Sequence, residues 1–389
     1  MPEIAVVMSV YNGLPYLEEA VSSILNQTFR DFEFVIVDDA STDGSWELLE
    51  TIAAGDGRII LLRNDLNSGA SFSRNKGIAR TTAGKIAFMD ADDRSLPGRL
   101  QLQLDFLEGH PEVGFVGTLP VFIDYAGRPM DVPQYAFLTE NADIQRQLPD
   151  SNCLRLGSVM VRRCLLTQVG LYDPELEPAE DYDLWLRMAE VTEVANLPER
   201  LYLYREHVAS TSTGRRHVQV HQKGIALERA LDRRYRRAVP QELMAFVARD
   251  FLRAGILACL AGDKDAARQN VEHALRTAPS MVESGDLIER EALACFSSQR
   301  TSDPAGLART LFEQLLPKTR HVLRAQRKVI GSIHMQKVFE LADDRKANDV
   351  GRHLWSGIAV DPSWLLNRGV WAIGTRLLLA KVLGQAQDQ

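Results

Sequence analysis

The feature that most constrains the fold is residues 86–93 (IAFMDADD), where an apolar run ends abruptly in a cluster of carboxylates. A buried parallel strand has this pattern, because it is apolar along its length and delivers polar side chains to the carboxyl edge of its sheet. Asp90 and Asp92 supply the hard oxygen ligands that Mg²⁺ and Mn²⁺ prefer. Taken alone, such a cluster is more often a solvated turn or a helix cap, so the neighbouring segments decide its interpretation.

The first part of the chain alternates apolar strands with amphipathic helices. Strands are expected at 4–10, 32–37, 59–63 and 85–89, and helices at 18–27, after the cap residues Thr42 and Asp43, and at 71–80. This order predicts an α/β fold whose sheet is parallel and whose crossovers are right-handed. The stretch from 95 to 200 is less regular, with helices expected at 97–107, 165–169 and 181–188 and strands at 113–121 and 157–161.

Composition excludes several classes of protein. The 389 residues carry a net charge of −7, which argues against a general nucleic-acid binder. The four cysteines form no CxxC pair and are expected to be reduced thiols, as in a cytoplasmic protein. The apolar start at 4–10 is too short for a signal-peptide core, and no run approaches the ~20 apolar residues of a membrane span. The expected location is therefore the cytoplasm.

From about residue 216 the pattern becomes almost entirely helical. Residues 215–237 carry eight Lys or Arg, which fits a solvated helix face or, alternatively, a contact with anionic lipid. Residues 241–279 follow the offsets of one tetratricopeptide-type helix pair, with Gly262 and Asp263 at the turn. Residues 364–383 combine Trp and Leu with basic residues, which indicates a packing helix or one that lies on a membrane surface.

Polar side chains from four predicted strand ends converge on one edge of the sheet. Ser9 and Tyr11 follow the first strand, and Tyr11 could stack on a base. Asp39 follows the second strand and can accept a hydrogen bond from an imide N–H such as that of uracil. Arg74 suits either a phosphate or the fixing of acids. With Asp90 near a ribose or metal-bound water and Asp92 on a metal ion, the set fits a nucleoside diphosphate.

These segments resemble the family 2 glycosyltransferases, inverting and mostly bacterial sugar transferases with the GT-A fold. Any one match is weak, but their order and spacing together are specific. The matching stretches are residues 7–13 (VMSVYNG), 23–29 (SILNQTF), 37–45 (VDDASTDGS), 73–77 (SRNKG), 88–93 (FMDADD), 157–163 (GSVMVRR), 180–185 (EDYDLW) and 204–207 (YREH).

The resemblance implies a role for each matched position. Asp39 would read the base, and Asp90 with Asp92 would form the acidic metal motif. Asp181 would be the catalytic base, because a positioned carboxylate must take the proton of a weakly nucleophilic sugar hydroxyl. Glu180 would shape the acceptor site beside it. At the end of the matched region, His207 would complete the shell of a Mn²⁺ or Mg²⁺ ion and Arg205 would grip the diphosphate.

Two departures from the family pattern bear on function. Ala40 stands where the family commonly has Gly, which is a mild change. The Gln-x-x-Arg-Trp run of processive polymer synthases is missing from the sequence. Together with the lack of a membrane span, this favours single sugar additions over polymer extrusion.

The resemblance therefore implies a metal-dependent inverting glycosyltransferase that uses a nucleotide-diphosphate sugar as its donor, with a UDP-sugar as the first candidate. The acceptor would be a hydroxyl of a glycan, a lipid-linked precursor or a protein in surface polysaccharide synthesis. The alternatives are a nucleotidyltransferase and a catalytically silent scaffold of the same fold. A GT-A catalytic domain is expected over 1–214, a helical region with the helix pair over 215–280, and a helical C-terminal region over 281–389. The helical half would serve peripheral membrane contact, through 215–237 or 364–383, or homo-oligomer formation.

Overall fold

The protein was analysed as a computed structural model, which describes residues 2–131, 138–207, 215–236, 238–298, 303–342 and 347–375. The chain divides into two compact units. The first comprises Met1–Arg215 with Ile225–Val239, and the second comprises Arg216–Gly224 with Pro240–Gln389. The expected boundaries at 214 and 280 follow family resemblance and helical pattern, and they stay predictions.

The described strands of the first unit form one mixed sheet of eight strands, in the order β3-β2-β1-β4-β7-β6-β8-β5. Its strands are β1 (Ile4–Val10), β2 (Phe32–Asp38), β3 (Ile59–Arg63), β4 (Lys85–Met89), β5 (Arg94–Ser95), β6 (Val113–Ile123), β7 (Met160–Arg162) and β8 (Glu193–Arg205). The parallel pairing predicted for the first four strands is confirmed. Beyond β4, strand β7 runs antiparallel to both of its neighbours, so that the whole sheet is mixed.

Helices flank this sheet because each presents one apolar stripe to it. They are α1 (Leu17–Leu25), α2 (Ser45–Ala53), α3 (Ala70–Arg80), α4 (Arg99–Gly109), α5 (Asn141–Gln147), α6 (Arg163–Val169) and α7 (Glu180–Met188). In α1 the buried residues include Leu17, Val21 and Ile24, as the sequence predicts. Asp43 accepts a hydrogen bond from the Ser45 amide at 3.0 Å, although the N-cap position itself belongs to Gly44.

Several elements differ from the sequence expectation. The strand expected at 157–161 is a 3₁₀ turn (Leu156–Ser158) followed by the short strand β7. The sequence pattern also missed α5, β8 and the two-residue strand β5. Strand β8 was hidden because Pro198 and two charged neighbours interrupt its apolar pattern. These three residues are exposed, opposite irregularities in the register with β6.

The described part of the second unit is helical, and its segment Arg216–Gly224 is the start of a longer helix whose remainder belongs to the first unit. These helices are α8 (Arg216–Tyr235), α9 (Gln241–Ala261), α10 (Lys264–Thr277), α11 (Pro279–Glu283), α12 (Asp286–Ser298), α13 (Pro304–Thr310), a π-helical turn (Leu311–Leu315), α14 (Arg320–Ala342), α15 (Ala347–Val360) and a 3₁₀ turn (Pro362–Leu366). The predicted helix pair is present as α9 and α10. Gly262 ends α9 with a φ of +82°, and Asp263 caps α10 by accepting from the Ala266 amide.

Three arginines of the basic run lie in the part of α8 that belongs to the first unit, and they have partners within that same unit. Arg229 pairs with Asp173 at 3.0 Å, Arg233 pairs with Glu190 at 2.9 Å, and Arg234 donates to a main-chain carbonyl. These three arginines therefore contact protein groups, whereas the solvated helix face and the alternative lipid contact expected for 215–237 stay predictions. Of the stretch 364–383, residues 376–383 lie outside the described residues. No described helix is long and apolar enough to cross a bilayer.

Candidate active site

The acids that follow β4 are organised by Arg74, which projects from α3. Its Nη1 donates to Glu180 Oε1 at 2.7 Å, and its Nη2 donates to Asp90 Oδ1 at 3.2 Å. The second Asp90 oxygen accepts from the Gly157 amide at 3.2 Å. Gly157 suits this place because a Cβ there would collide with the Tyr202 hydroxyl. Of the two roles expected for Arg74, the structure shows the fixing of acids.

Burial sets the protonation chemistry of this cluster. The Arg74 and Glu180 side chains are each 9% exposed. Burial raises the pKa of Glu180 to about 7, although the positive charge of Arg74 acts to lower it. Burial also raises the pKa of Asp90, again against the lowering effect of Arg74. The cluster therefore holds carboxyl groups that bind protons more tightly than they would in water.

Asp181 lies in the first turn of α7, directly after Glu180. Its Oδ2 accepts from Asn152 Nδ2 at 2.9 Å, and its Oδ1 accepts from the Tyr182 amide at 2.6 Å. Burial raises the pKa of Asp181, which increases its affinity for a proton. Sequence reasoning did not identify Asn152, because its partner stands 29 residues away and no local pattern joins them.

The raised pKa of Glu180 predicts a pH-dependent stability. A carboxyl with a folded-state pKa of about 7, against 4.5 in its unperturbed state, favours folding below pH 4.5, and this contribution is lost as the pH rises through 7. Glu180→Gln cannot titrate, so the wild type should lose more stability than this variant between pH 5.5 and pH 8.5. Urea denaturation across that range measures the difference. If the unfolding free energies of the two proteins change in parallel with pH, Glu180 stays ionised in the folded protein over this range.

Asp92 and His207 come together at the end of β8. His207 Nε2 lies 2.9 Å from Asp92 Oδ2. Adjacent ligands of an octahedral ion with bonds of about 2.1 Å lie about 3 Å apart, so this pair fits two positions around one Mn²⁺ or Mg²⁺ ion. No group of three or more His, Cys, Asp or Glu in the described part of the chain is arranged to hold a metal. Asp90, the expected third ligand, contacts Arg74 and Gly157 instead.

Arg205 is 3% exposed and is held by protein groups. Its Nε donates to the Asp92 carbonyl at 2.8 Å, and its Nη2 donates to Glu19 Oε2 at 2.6 Å. The guanidinium also lies 4.4 Å from the centre of the Tyr16 ring. In this arrangement Arg205 positions the segment that carries Asp92, and its contact with a diphosphate stays a prediction. Glu19 and Tyr16 belong to this site, and the sequence offered no signal for either.

The Asp39 carboxylate fixes the loop between β3 and α3. It accepts from Asn64 Nδ2 at 2.6 Å and from the amides of Ser68 and Gly69, each at 2.9 Å. A carboxylate offers about four lone-pair positions, so the Asp39 carboxylate can accept a hydrogen bond from one further donor. Tyr11, at the neighbouring strand end, is 53% exposed, and its ring is accessible to a planar ligand. Ser9 is half-buried at the end of β1.

Comparison with known proteins agrees with this geometry. Residues 5–166 match the model of glycosyl transferase family 2. The chain is 32% identical over 215 residues to the putative glycosyltransferase EpsE of Bacillus subtilis, covering 53% of this chain and 73% of that protein. It is 31% identical over 190 residues to the putative teichuronic acid biosynthesis glycosyltransferase TuaG of the same organism, covering 48% and 72%.

Two further matches are an archaeal relative and a solved structure. An uncharacterized glycosyltransferase of Methanocaldococcus jannaschii is 33% identical over 191 residues, and the alignment covers 48% of this chain and 64% of that protein. Residues 1–349 of S. aureus TarS, solved in complex with UDP-GlcNAc, superpose with a TM-score of 0.54 at 16% identity, covering 87% of this chain and 91% of that one. This likeness supports the GT-A fold alone. From the family match, the two Bacillus relatives and the mixed sheet, the chain belongs to glycosyl transferase family 2 and carries its glycosyltransferase domain in the first unit.

Proposed function

We propose that the protein transfers a sugar from a nucleotide-diphosphate donor to an acceptor hydroxyl, with inversion at the anomeric carbon. A UDP-sugar is the first candidate for the donor. The observation that carries the proposal is the chain of contacts that runs from Asp90 through Arg74 to Glu180 and places Asp181 beside it. Such a buried set of carboxylates with raised pKa values is typical of catalytic sites. Family membership directs the chemistry to glycosyl transfer.

Asp181 is the proposed general base. Its raised pKa favours acceptance of the proton that the attacking hydroxyl loses as the new glycosidic bond forms. The bond from the anomeric carbon to the diphosphate breaks in the same step, and its electron pair leaves with the nucleoside diphosphate. Asn152 holds the Asp181 carboxylate in one orientation by donating to Oδ2. Glu180, fixed by Arg74, would border the acceptor.

Asp92 and His207 are the residues that would hold a Mn²⁺ or Mg²⁺ ion, as their 2.9 Å separation allows. When bound there, the ion would neutralise the negative charge that develops on the departing diphosphate. Arg205 keeps the Asp92 main chain in place and so would fix one ligand. Ser9, Tyr11 and Asp39 would face the nucleoside.

The acceptor is proposed to be a surface glycan or its lipid-linked precursor, because TuaG is named for teichuronic acid biosynthesis. We further propose single sugar additions, in the cytoplasm and at the inner membrane face, with the helical half responsible for membrane contact or for oligomer formation. The support for this part is the relatives' names and the sequence pattern of the second half.

A donor screen tests the central proposal. Purified full-length protein is incubated with Mn²⁺ and a panel of nucleotide sugars, and release of nucleoside diphosphate is measured. Metal-dependent turnover of one donor is the expected result, and it names the sugar. No release from any donor, with no binding of UDP or GDP, would instead support a catalytically silent scaffold.

The metal pair gives a separate prediction. Asp92→Asn removes a charged ligand, so the Mn²⁺ concentration for half-maximal turnover should rise about ten-fold or more. A Mn²⁺ titration of donor turnover measures the shift. Asp105→Asn, which changes an exposed acid on α4, is the matched control and should titrate like the wild type. Equal Mn²⁺ dependence in all three proteins would remove Asp92 from the metal site.

A further inference from the structure

Arg155 stands out among the arginines at this edge of the sheet. Arg74 contacts Glu180 and Asp90, and Arg205 contacts Glu19. Arg155, in contrast, makes no side-chain hydrogen bond and no ion pair within the part of the chain that the structure describes, and its Nε is buried without a partner. A buried cationic donor without a partner is costly, so such an atom calls for an explanation.

The side chain of Arg155 is nevertheless held in place. Its carbon Cζ lies 5.7 Å from the centre of the Phe122 ring and 5.5 Å from that of Tyr204. These two rings pack edge to face with their centres 5.5 Å apart. The Arg155 carbonyl accepts from both the amide and the hydroxyl of Ser158, which fixes the main chain. The guanidinium is therefore oriented by aromatic contacts before any ligand arrives.

The neighbours of Arg155 connect it to both halves of the candidate active site. Asn152, three residues earlier, holds the Asp181 carboxylate, and the charge of Arg155 acts electrostatically on Asp181. Tyr204 directly precedes Arg205 in β8 and stands three residues before His207. Arg155 thus acts on the proposed base and contacts the strand that leads to the proposed metal pair, and it is only partly exposed.

We propose that Arg155 binds an anionic oxygen of a substrate, a phosphate or a carboxylate, which its oriented and unpartnered guanidinium is built to accept. The proposal rests on the proposed glycosyl transfer. Two sources supply this chemistry, namely the diphosphate of the nucleotide donor and an acidic group on the acceptor. Arginine suits both, because its fork of donors matches the oxygens of either group.

Binding measurements separate the two sources. Isothermal titration gives the affinity of the full-length protein for UDP with Mn²⁺, and then the affinity of the UDP-saturated protein for inorganic phosphate. Arg155→Gln should weaken one of these by about ten-fold or more, as expected for loss of a charge-assisted pair. Weaker UDP binding assigns Arg155 to the diphosphate, and weaker phosphate binding with unchanged UDP binding assigns it to an acidic acceptor.

Two further variants keep the test decisive. Arg155→Lys keeps the charge but loses the forked set of donors, so its affinity should lie between those of the wild type and Arg155→Gln. If Arg155→Gln fails to fold, Arg155→Lys takes its place in the test. Arg146→Gln changes an exposed arginine on α5 and should bind like the wild type. Unchanged affinities in both Arg155 variants, or a wild type that binds neither UDP nor phosphate, would overturn the inference. A wild type that binds UDP but turns over no donor would contradict only the proposed function.

Discussion

Asp181→Asn should reduce the kcat of sugar transfer by about 10²–10⁴-fold, the usual contribution of a general base. The substitution keeps the size of the side chain and keeps an oxygen that can accept from Asn152, but an amide cannot take a proton from the acceptor hydroxyl. Donor affinity should change little, because Asp181 is proposed to act on the acceptor. Release of nucleoside diphosphate under saturating donor gives kcat, and titration calorimetry with UDP gives the affinity.

Asp143→Asn is the matched control, since it changes a half-buried acid on α5 that pairs only with the exposed Arg146 in the described structure. Its turnover should equal that of the wild type. Retention of wild-type kcat by Asp181→Asn would transfer the role of base to another group. A parallel loss of UDP affinity and turnover would instead indicate a structural role for Asp181.

Arg74→Met should cost about 3–5 kcal/mol of unfolding free energy at pH 8.5. The substitution leaves two carboxylates, Glu180 and Asp90, without the cation that both contact, and Glu180 is 9% exposed. A buried carboxylate can escape this cost by taking up a proton, and the Glu180 pKa of about 7 makes this possible below neutral pH. The destabilisation should therefore be smaller at pH 5.5. Urea denaturation at the two pH values measures both quantities.

Arg146→Met serves as the control for the loss of an arginine. The Arg146 side chain is 75% exposed and that of its partner Asp143 is 49% exposed. The variant should therefore change the free energy of unfolding by less than about 1 kcal/mol. A small effect of Arg74→Met at pH 8.5 would show that the carboxylates find other partners. An effect equal at both pH values would show that the lost packing of the long side chain, and not charge, sets the cost.

The sequence predicted those parts of the fold that local patterns encode. Strands β1 to β4 and their helices have clear apolar periodicity, and the residues that follow these strands lie at one edge of the sheet because parallel strands share a direction. Asp90 follows β4 and Arg74 lies on α3, the helix that precedes β4, and the two side chains meet at this edge. Glu180 lies on α7, outside these strands, and joins them through its contact with Arg74. The mixed half of the sheet was harder to predict from the sequence, because strand β8 carries Pro198 and exposed charged residues within its length.

The supporting contacts of the site could not be read from local sequence. Asn64 with Asp39, Asn152 with Asp181 and Glu19 with Arg205 join residues that are 25, 29 and 186 positions apart. Each member taken alone is an ordinary polar residue in a loop or helix. Only the three-dimensional structure shows that these side chains fix Asp39, Asp181 and Arg205, which are the residues that the sequence does single out.

Helix α8 is one continuous helix, yet its residues before Ile225 belong to the second unit and those after Gly224 to the first. A recombinant catalytic domain cut at residue 214 would lack Arg229 and Arg233, and Asp173 and Glu190 would lose these partners. A cut near Pro240 would complete the first unit, but it would remove Arg216–Gly224 from the second unit, and with them the ion pair of Lys223 with Asp250 at 2.8 Å. No single cut therefore separates the two units whole, because each of them takes part of helix α8.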